Sequence, residues 1–476
     1  MAADETPPNP GSAGSTGPEP AAGVDPAAVL RSRQFVVILV VAALVGLIVS
    51  LVSWGFLELV EKAQNGVYKD LPEALGFTTT PDWWPIPVLL VAGVIVAFAI
   101  TKLPGRGGHV PANGLHMGGT EVNMLPGIAL AAFATLALGV VLGPEAPLVA
   151  IGAGVAMFTV QLAKRDAPPQ LLMIMGAAGS FAAISVIFGS PIVAAVLVIE
   201  VSGLGGSMLP LILIPGLVAA GIGSLVFVGM AGWTGLSTSA YALVPLKFPR
   251  FTDITPALIV WTIVLGIVGA LLTFVIAKLG RHGANLVLNR EWVLVPLAGV
   301  LVAIIAIVFN AITDKGFNEV LFSGQAALPG LVDNASEWSL GALLLLLLFK
   351  GLAWSVSLSS FRGGPTFPAI LMGAVGGIAA SHLPGLSLTP AVAVGMGVMV
   401  VSFLKLPLSA IIIASVLCAS AGLDVGPLII LGVVVAYLTT LGLEGRLGPP
   451  AGVLPDDAGP PPAATPGPAP GPAPAG

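Results

Sequence analysis

Four stretches of this chain, residues 35–57, 167–199, 201–246 and 363–404, contain no Asp, Glu, Lys or Arg. A helix crossing a bilayer needs about 20 mostly apolar residues. Several of these runs therefore hold more than one pass, or a broken helix. Only 9% of the 476 residues are charged and 56% are hydrophobic, whereas a soluble domain is about 25% charged. The pattern is that of an all-α polytopic membrane protein. A β-barrel would show alternating segments of about 10 residues, and "GALLLLLLFK" (341–350) excludes that.

The net charge of −5 comes largely from loops and termini and says little about partners. No Lys/Arg cluster marks a nucleic-acid surface, so no nucleic-acid partner is expected. The single cysteine, Cys418, lies in an apolar run, pairs with no other cysteine and tells nothing of redox compartment. Residues 1–33 and 445–476 read as Pro/Gly/Ala-rich disordered tails, the first lacking the charged and apolar regions of a cleaved signal.

Between the tails, apolar segments fall into a first membrane half (34–230), a linker (231–256) and a second half (257–444). Short, Gly/Pro-interrupted segments recur in the two halves: "GRGGHVP" (105–111) and "GPEAP" (143–147), then "RGGPTFP" (362–368). Interrupted segments in corresponding places point to duplication, with a binding site where broken helices meet. Arg31 and Arg33 before the first span, against Glu58, Glu61 and Lys62 after it, favour a cytoplasmic N-terminus.

Within "GVVLGPEAPLVAIGAG" (139–154) stands a lone acid, Glu145, the only charge between Glu121 and Lys164. Glycine-rich turns that open apolar helices leave unpaired N–H groups at the positive end of the helix dipole. Such ends bind anions without a cationic side chain, and without the tight hold that would stop an anion leaving. Isolated carboxylates in low-dielectric surroundings tend to take up a proton. Glu145 then occupies an anion site while ionised and vacates it when protonated or displaced. The alternative is a capping or loop acid exposed to one water phase, and a single Gly/Pro break read alone is a kink between packed helices.

The strings "GGHVP" (107–111), "GPEAP" (143–147), "FGSPIVAAVLVIE" (188–200), "KGFN" (315–318), "GGPTFP" (363–368) and "AVGMGVMVVSFLKLPLSAII" (393–412) occur in an order and spacing that resemble the CLC chloride channel and chloride–proton antiporter family. The match, of the prokaryotic type without a regulatory domain, runs from about residue 35 to 442. It implies an inverted repeat of tilted and broken helices, and a homodimer with one anion pore per subunit. Glu145 falls on the family's gating glutamate, with Pro144 and Ala146 in place of arginine and glycine. Pro144 lacks an N–H; the amides of Glu145 and Ala146 remain. In the family's Gly-Ser-Gly-Ile-Pro string, Gly108 replaces the anion-contacting serine. Gly107 precedes it, and His109 takes the next position, where its protonated ring would attract anions or would instead point to the cytoplasmic mouth. In "GGPTFP", Pro365 removes a donor while Thr366 and Phe367 keep theirs, and the Thr366 hydroxyl is a compensating contact. The tyrosine of the family's last helix has no counterpart, Tyr437 lying too early.

Aligning "VLVIEVSGLGG" places Glu200 on the first of the family's paired acids and Val201 on the inner proton-relay position. Valine carries no proton, but some exchangers of the family also lack the inner acid and use water instead, so the substitution does not separate channel from exchanger. Glu200 reads as a structural acid near the inner surface or a helix-end residue in water. With Gly108 and no terminal tyrosine, anions pass without waiting for Glu145. The expected function is chloride or other small-anion transport across the cell membrane, gated by Glu145, with loose or absent proton coupling. A proton-coupled chloride or fluoride antiporter is the alternative. An enzyme is not expected: among His109, His116, His282 and His382 no HExxH pair exists, and Ser323 in "LFSGQ" lacks a nucleophile motif. A non-conducting scaffold would leave Glu145 unexplained. No cofactor or metal is called for. Lys102, Arg106, Lys350, Arg362 and Lys405 lie near segment ends, where they reach headgroups or, for Arg106 and Arg362, line a vestibule. Trp54, Trp83, Trp84, Trp292 and Trp338 fit interfacial belts.

Overall fold

Apolar composition with prolines confined largely to first turns dictates a bundle of helices. The computed structural model describes residues 30–115, 120–203, 209–236 and 242–448. The expected tails fall almost wholly outside them. In chain order the main helices are α1 (Arg33–Asn65), α2 (Pro85–Lys102), α3 (Leu125–Ala137), α4 (Glu145–Ala163), α5 (Pro169–Phe188), α6 (Pro191–Ser202) and α7 (Leu209–Thr234). They continue with α8 (Pro256–Val287), α9 (Glu291–Thr313), α10 (Ala327–Asp333), α11 (Leu340–Ser360), α12 (Thr366–Ala380), α13 (Leu388–Leu404), α14 (Pro407–Leu417) and α15 (Gly426–Leu447). Among the described residues, nine helical segments are long and apolar enough to cross a bilayer.

Local chemistry sets the ends. Ser32, Thr255 and Ser339 cap α1, α8 and α11 by accepting the N–H of Phe35, Leu258 and Ala342, each satisfying an orphan donor. Proline opens α2, α5, α6, α8 and α14, where its missing N–H costs nothing. Gly189 and Lys405, both at positive φ, end α5 and α13. Each is followed within three residues by a new helix, so α5–α6 and α13–α14 are broken pairs. At 1.5 Å per residue, α12 is only about 22 Å long, short of a roughly 30 Å hydrocarbon core.

Packing repeats between the two parts of the chain. In the first, α4 packs on α5, α5 on α7, and α7 on α1; in the second, α12 packs on α13, α13 on α15, and α15 on α8. The first contact of each set is a glycine crossing: a Cβ at Gly152 would strike the backbone of Gly179, and one at Gly373 that of Gly395. Close approach of this kind holds helices together where no hydrophobic driving force separates protein from lipid. Nearly all of α12 and α13 is buried, as expected of helices apolar on every side. By contrast α1 and α8 turn Val40, Leu44, Val260 and Val268 outward.

Two sequence expectations shift here. Lys350 sits in the middle of α11, not near an end, and is fully buried. Its Nζ donates to the carbonyls of Glu319 (2.8 Å), Val320 (3.1 Å), Leu321 (3.1 Å) and Phe322 (3.5 Å), which replace its hydration. Trp84 and Trp338 are buried as well, Trp84 donating to the Val67 carbonyl and Trp338 lying under the Lys315 ammonium.

Candidate functional site

Two helix starts meet near the middle of the bundle. The turns that precede α4 and α12 are joined through their backbones: Gly143 donates to the Gly364 carbonyl (2.7 Å) and Gly364 to that of Gly143 (2.6 Å). The chain reaches this bridge in a fixed way, because the Val141 amide is held by the Ser357 hydroxyl (3.3 Å). Pro144 and Pro365 then occupy the N-cap positions, and Glu145 and Thr366 are the first helical residues. Neither helix has a side-chain cap. Their first amides are left to other partners.

For α12 that partner is Glu145. The Thr366 N–H donates to Glu145 Oε1, and the Phe367 amide and Thr366 hydroxyl lie near the same carboxyl. Glu145 is completely buried and, among the described residues, makes no ion pair. Its second oxygen, Oε2, and Thr366 Oγ1 have no hydrogen-bond partner. The carboxylate therefore occupies the N-terminal end of a 15-residue helix, in the manner of a bound anion. Phe367 closes one side, its ring centroid 5.5 Å from that of Phe188.

Room for the carboxyl comes from glycine. The three atoms nearest a Cβ on Gly364 all belong to the Glu145 side chain, whereas those nearest one on Gly143 belong to that carboxyl and to Phe367. Sequence reasoning did not single out either glycine or Phe188. The pairing of two "GG/GP" turns before helices was the available signal for the glycines; Phe188 opens the string "FGSPIVAAVLVIE", which gave it no role of its own.

Of the residues expected at the site, Glu145, Thr366 and Phe367 come together. Ala146 stands beside them in the first turn of α4; Leu148 is the first residue there whose amide closes back, on the Pro144 carbonyl (3.0 Å). Gly107, Gly108 and His109 lie in a separate turn. Gly105, Arg106, Gly107 and Gly108 are all at positive φ, so the chain runs left-handed there. Between Lys102 and Leu125 the described residues form only 3₁₀ turns, with no α-helix start. The Gly108 amide is committed to the Gly105 carbonyl (2.8 Å), and Gly107 packs against Ala131 and Arg362.

The basic side chains nearby are engaged with protein. Arg106 pairs with Glu291 (3.0 Å). Arg362 is 5% exposed, with Nε donating to the Arg106 carbonyl (3.3 Å) and Nη1 to that of Phe361 (3.2 Å). Lys405 pairs with Glu444 (2.6 Å). Glu200 caps α14: Oε1 accepts from the Leu408 amide (2.9 Å), and Oε2 from the Ser409 amide (2.7 Å) and hydroxyl (2.6 Å). Glu200→Ala should lower thermal stability by about 1 kcal/mol, the usual worth of a cap. Fluorescence-detected melting of the purified protein would show this.

A family model described as "Voltage gated chloride channel" matches residues 112–441. The "Putative ion-transport protein YfeO" of Escherichia coli O7:K1 (strain IAI39 / ExPEC) is 27% identical over 362 residues, covering 74% of this chain and 81% of that protein. The protein of the same name from Shigella boydii serotype 4 (strain Sb227) matches over the same shares. Among solved structures, a slow cyanobacterial Cl−/H+ antiporter superposes with a TM-score of 0.69 at 19% identity, covering 86% of this chain and 95% of that one. A CLC-type fluoride/proton antiporter gives 0.63 at 18%, with 85% and 95% covered.

Proposed function

We propose, since the chain belongs to the voltage gated chloride channel family, that it carries chloride through a pore in each subunit of a homodimer and that Glu145 is its gate. The observation that supports this reading is the seat of the Glu145 carboxylate on the Thr366 amide at the start of α12. A permeant anion and the ionised side chain need the same donors, so each excludes the other. The donors we assign to the ion are the amides of Thr366 and Phe367, the Thr366 hydroxyl, and across from them the amide of Ala146.

The energetics suit passage. A helix N-terminus stabilises an anion by about 0.3–2 kcal/mol, enough to select charge and too little to trap it. Gly107, Gly108 and His109 form the neighbouring turn. With the Gly108 amide already committed, we assign that turn a minor part in holding the ion, His109 contributing through its ring. The two sets of packed helices are the two halves of a duplicated pore (34–230 and 257–444).

Coupling to protons is loose in this reading. Glu200 is bound to the start of α14 by three hydrogen bonds, and the next residue is Val201, which carries no proton. Purified protein in vesicles, with chloride and pH followed together, is expected to show chloride efflux with less than proportional proton uptake. A fixed chloride-to-proton ratio maintained against opposing gradients would overturn this and make the protein an antiporter. Fluoride run in parallel decides the anion: faster fluoride than chloride flux rejects chloride as the substrate.

A further inference from the structure

Glu145 is fully enclosed, so a proton reaching it must come through the protein. A cavity of about 310 Å³ lies against Pro144, the residue just before it. Liquid water takes about 30 Å³ per molecule, which leaves room for several waters. The wall is built from the C-terminal end of α1, from Leu136 on α3, and from residues 318–327. That last segment is fixed from behind, because Lys350 holds its first carbonyls.

The wall is polar in a particular way. It carries Glu61, Gln64, Asn318, Ser323 and Gln325, and contains no Lys, Arg or His. Gln325 is 7% exposed and its Nε2 has no protein acceptor. A cation-free lining that includes a carboxylate disfavours anions and suits protons. Apart from the Tyr68 phenol, which donates to the Leu138 carbonyl, Glu61 is the only titratable group on the wall. On its own helix it has Glu58 and Lys62 as charged neighbours, and these two pair with each other at 3.5 Å. On the segment 318–327 the charged residue is Glu319, which is not among the residues lining the cavity and lies in the field of Lys350 and Lys315.

We infer that Glu61 is the group through which Glu145 exchanges protons with the solution on that side of the membrane. This rests on the proposed gating role of Glu145. The Glu61 carboxyl takes a proton from solvent and releases it to water in the cavity. That water in turn protonates Glu145, leaving Glu61 ionised for the next proton. The chemistry needs no other co-reactant.

The test is the current response to a sudden drop in pH on the α1 C-terminal side, recorded on supported membranes carrying purified protein. Glu61→Gln should slow the rise of anion current about tenfold, a decade below the least that a proton donor contributes by direct transfer in a reaction. Glu61→Asp should keep most of the wild-type rate, and a high concentration of imidazole in the bath should restore speed to Glu61→Gln. A purely structural role would not be rescued by a buffer. A Glu61→Gln response as fast as wild type, or a slow one that imidazole leaves unchanged, overturns the inference. Failure of the gating role itself reads differently: Glu145→Gln would then still respond to the pH step.

Discussion

Glu145→Gln should abolish the pH dependence of anion flux and hold the protein at the rate the wild type reaches only in acid. The sign follows from charge. Ionised Glu145 is attracted to the N-terminal end of α12 and accepts the Thr366 amide. Once protonated it loses that attraction and leaves the donors to the permeant ion, so flux rises as pH falls. With one carboxyl titrating, wild-type flux on the alkaline side should change by up to about tenfold per pH unit, the slope of a single ionisation. Glutamine keeps the shape of the side chain and cannot ionise. Chloride efflux from vesicles measured over several pH values reads this directly. A Glu145→Gln protein with the wild-type slope would place the gate elsewhere.

The second large effect is expected from a residue that carries no charge and no side chain. Gly364→Ala should raise flux at neutral pH toward the Glu145→Gln level and flatten its pH profile. Gly364 has no positive φ to lose, and the three atoms nearest its added Cβ all belong to the Glu145 side chain. The methyl group therefore strikes the carboxylate first and evicts it. Combined in one protein, the two substitutions should be strongly non-additive, because both empty the same seat. Gly143→Ala is the contrasting variant: its Cβ also strikes Phe367, so it should cost stability as well as shut-off. Full additivity of Gly364→Ala with Glu145→Gln, in a protein that elutes and melts like wild type, would show that the glycine acts through something other than the gate.

Much of the geometry of this candidate site was legible in the chain itself. Uncharged runs set the class, and a solitary acid in a Gly/Pro break named Glu145. The second break, "GGPTFP", brought in Thr366 and Phe367. What could not be read were contacts between residues far apart in sequence. The Gly143–Gly364 bridge joins positions more than two hundred residues apart, and neither strand alone differs from an ordinary turn. Lys350 looked like a segment-end cation because hydropathy cannot tell lipid from a cradle of carbonyls. The "GRGGHVP" break read as another helix start. There, three glycines let the backbone stay left-handed, taking Arg106 with them, and Pro111 withholds an amide, so among the described residues only 3₁₀ turns follow before α3.

The two hydrogen bonds that lash Gly143 to Gly364 constrain the tempo of this molecule. With both main chains clamped at the threshold, opening by spreading the helices would first break that link, and rotation about the torsions of one short side chain does not. Collective helix displacement takes microseconds to milliseconds, whereas rotamer exchange of an exposed side chain takes picoseconds to nanoseconds; burial of Glu145 slows it from that limit. In the proposed gating reading, each passage then needs only a local side-chain swing at a doorway whose frame stays shut, and no concerted movement of α4 and α12.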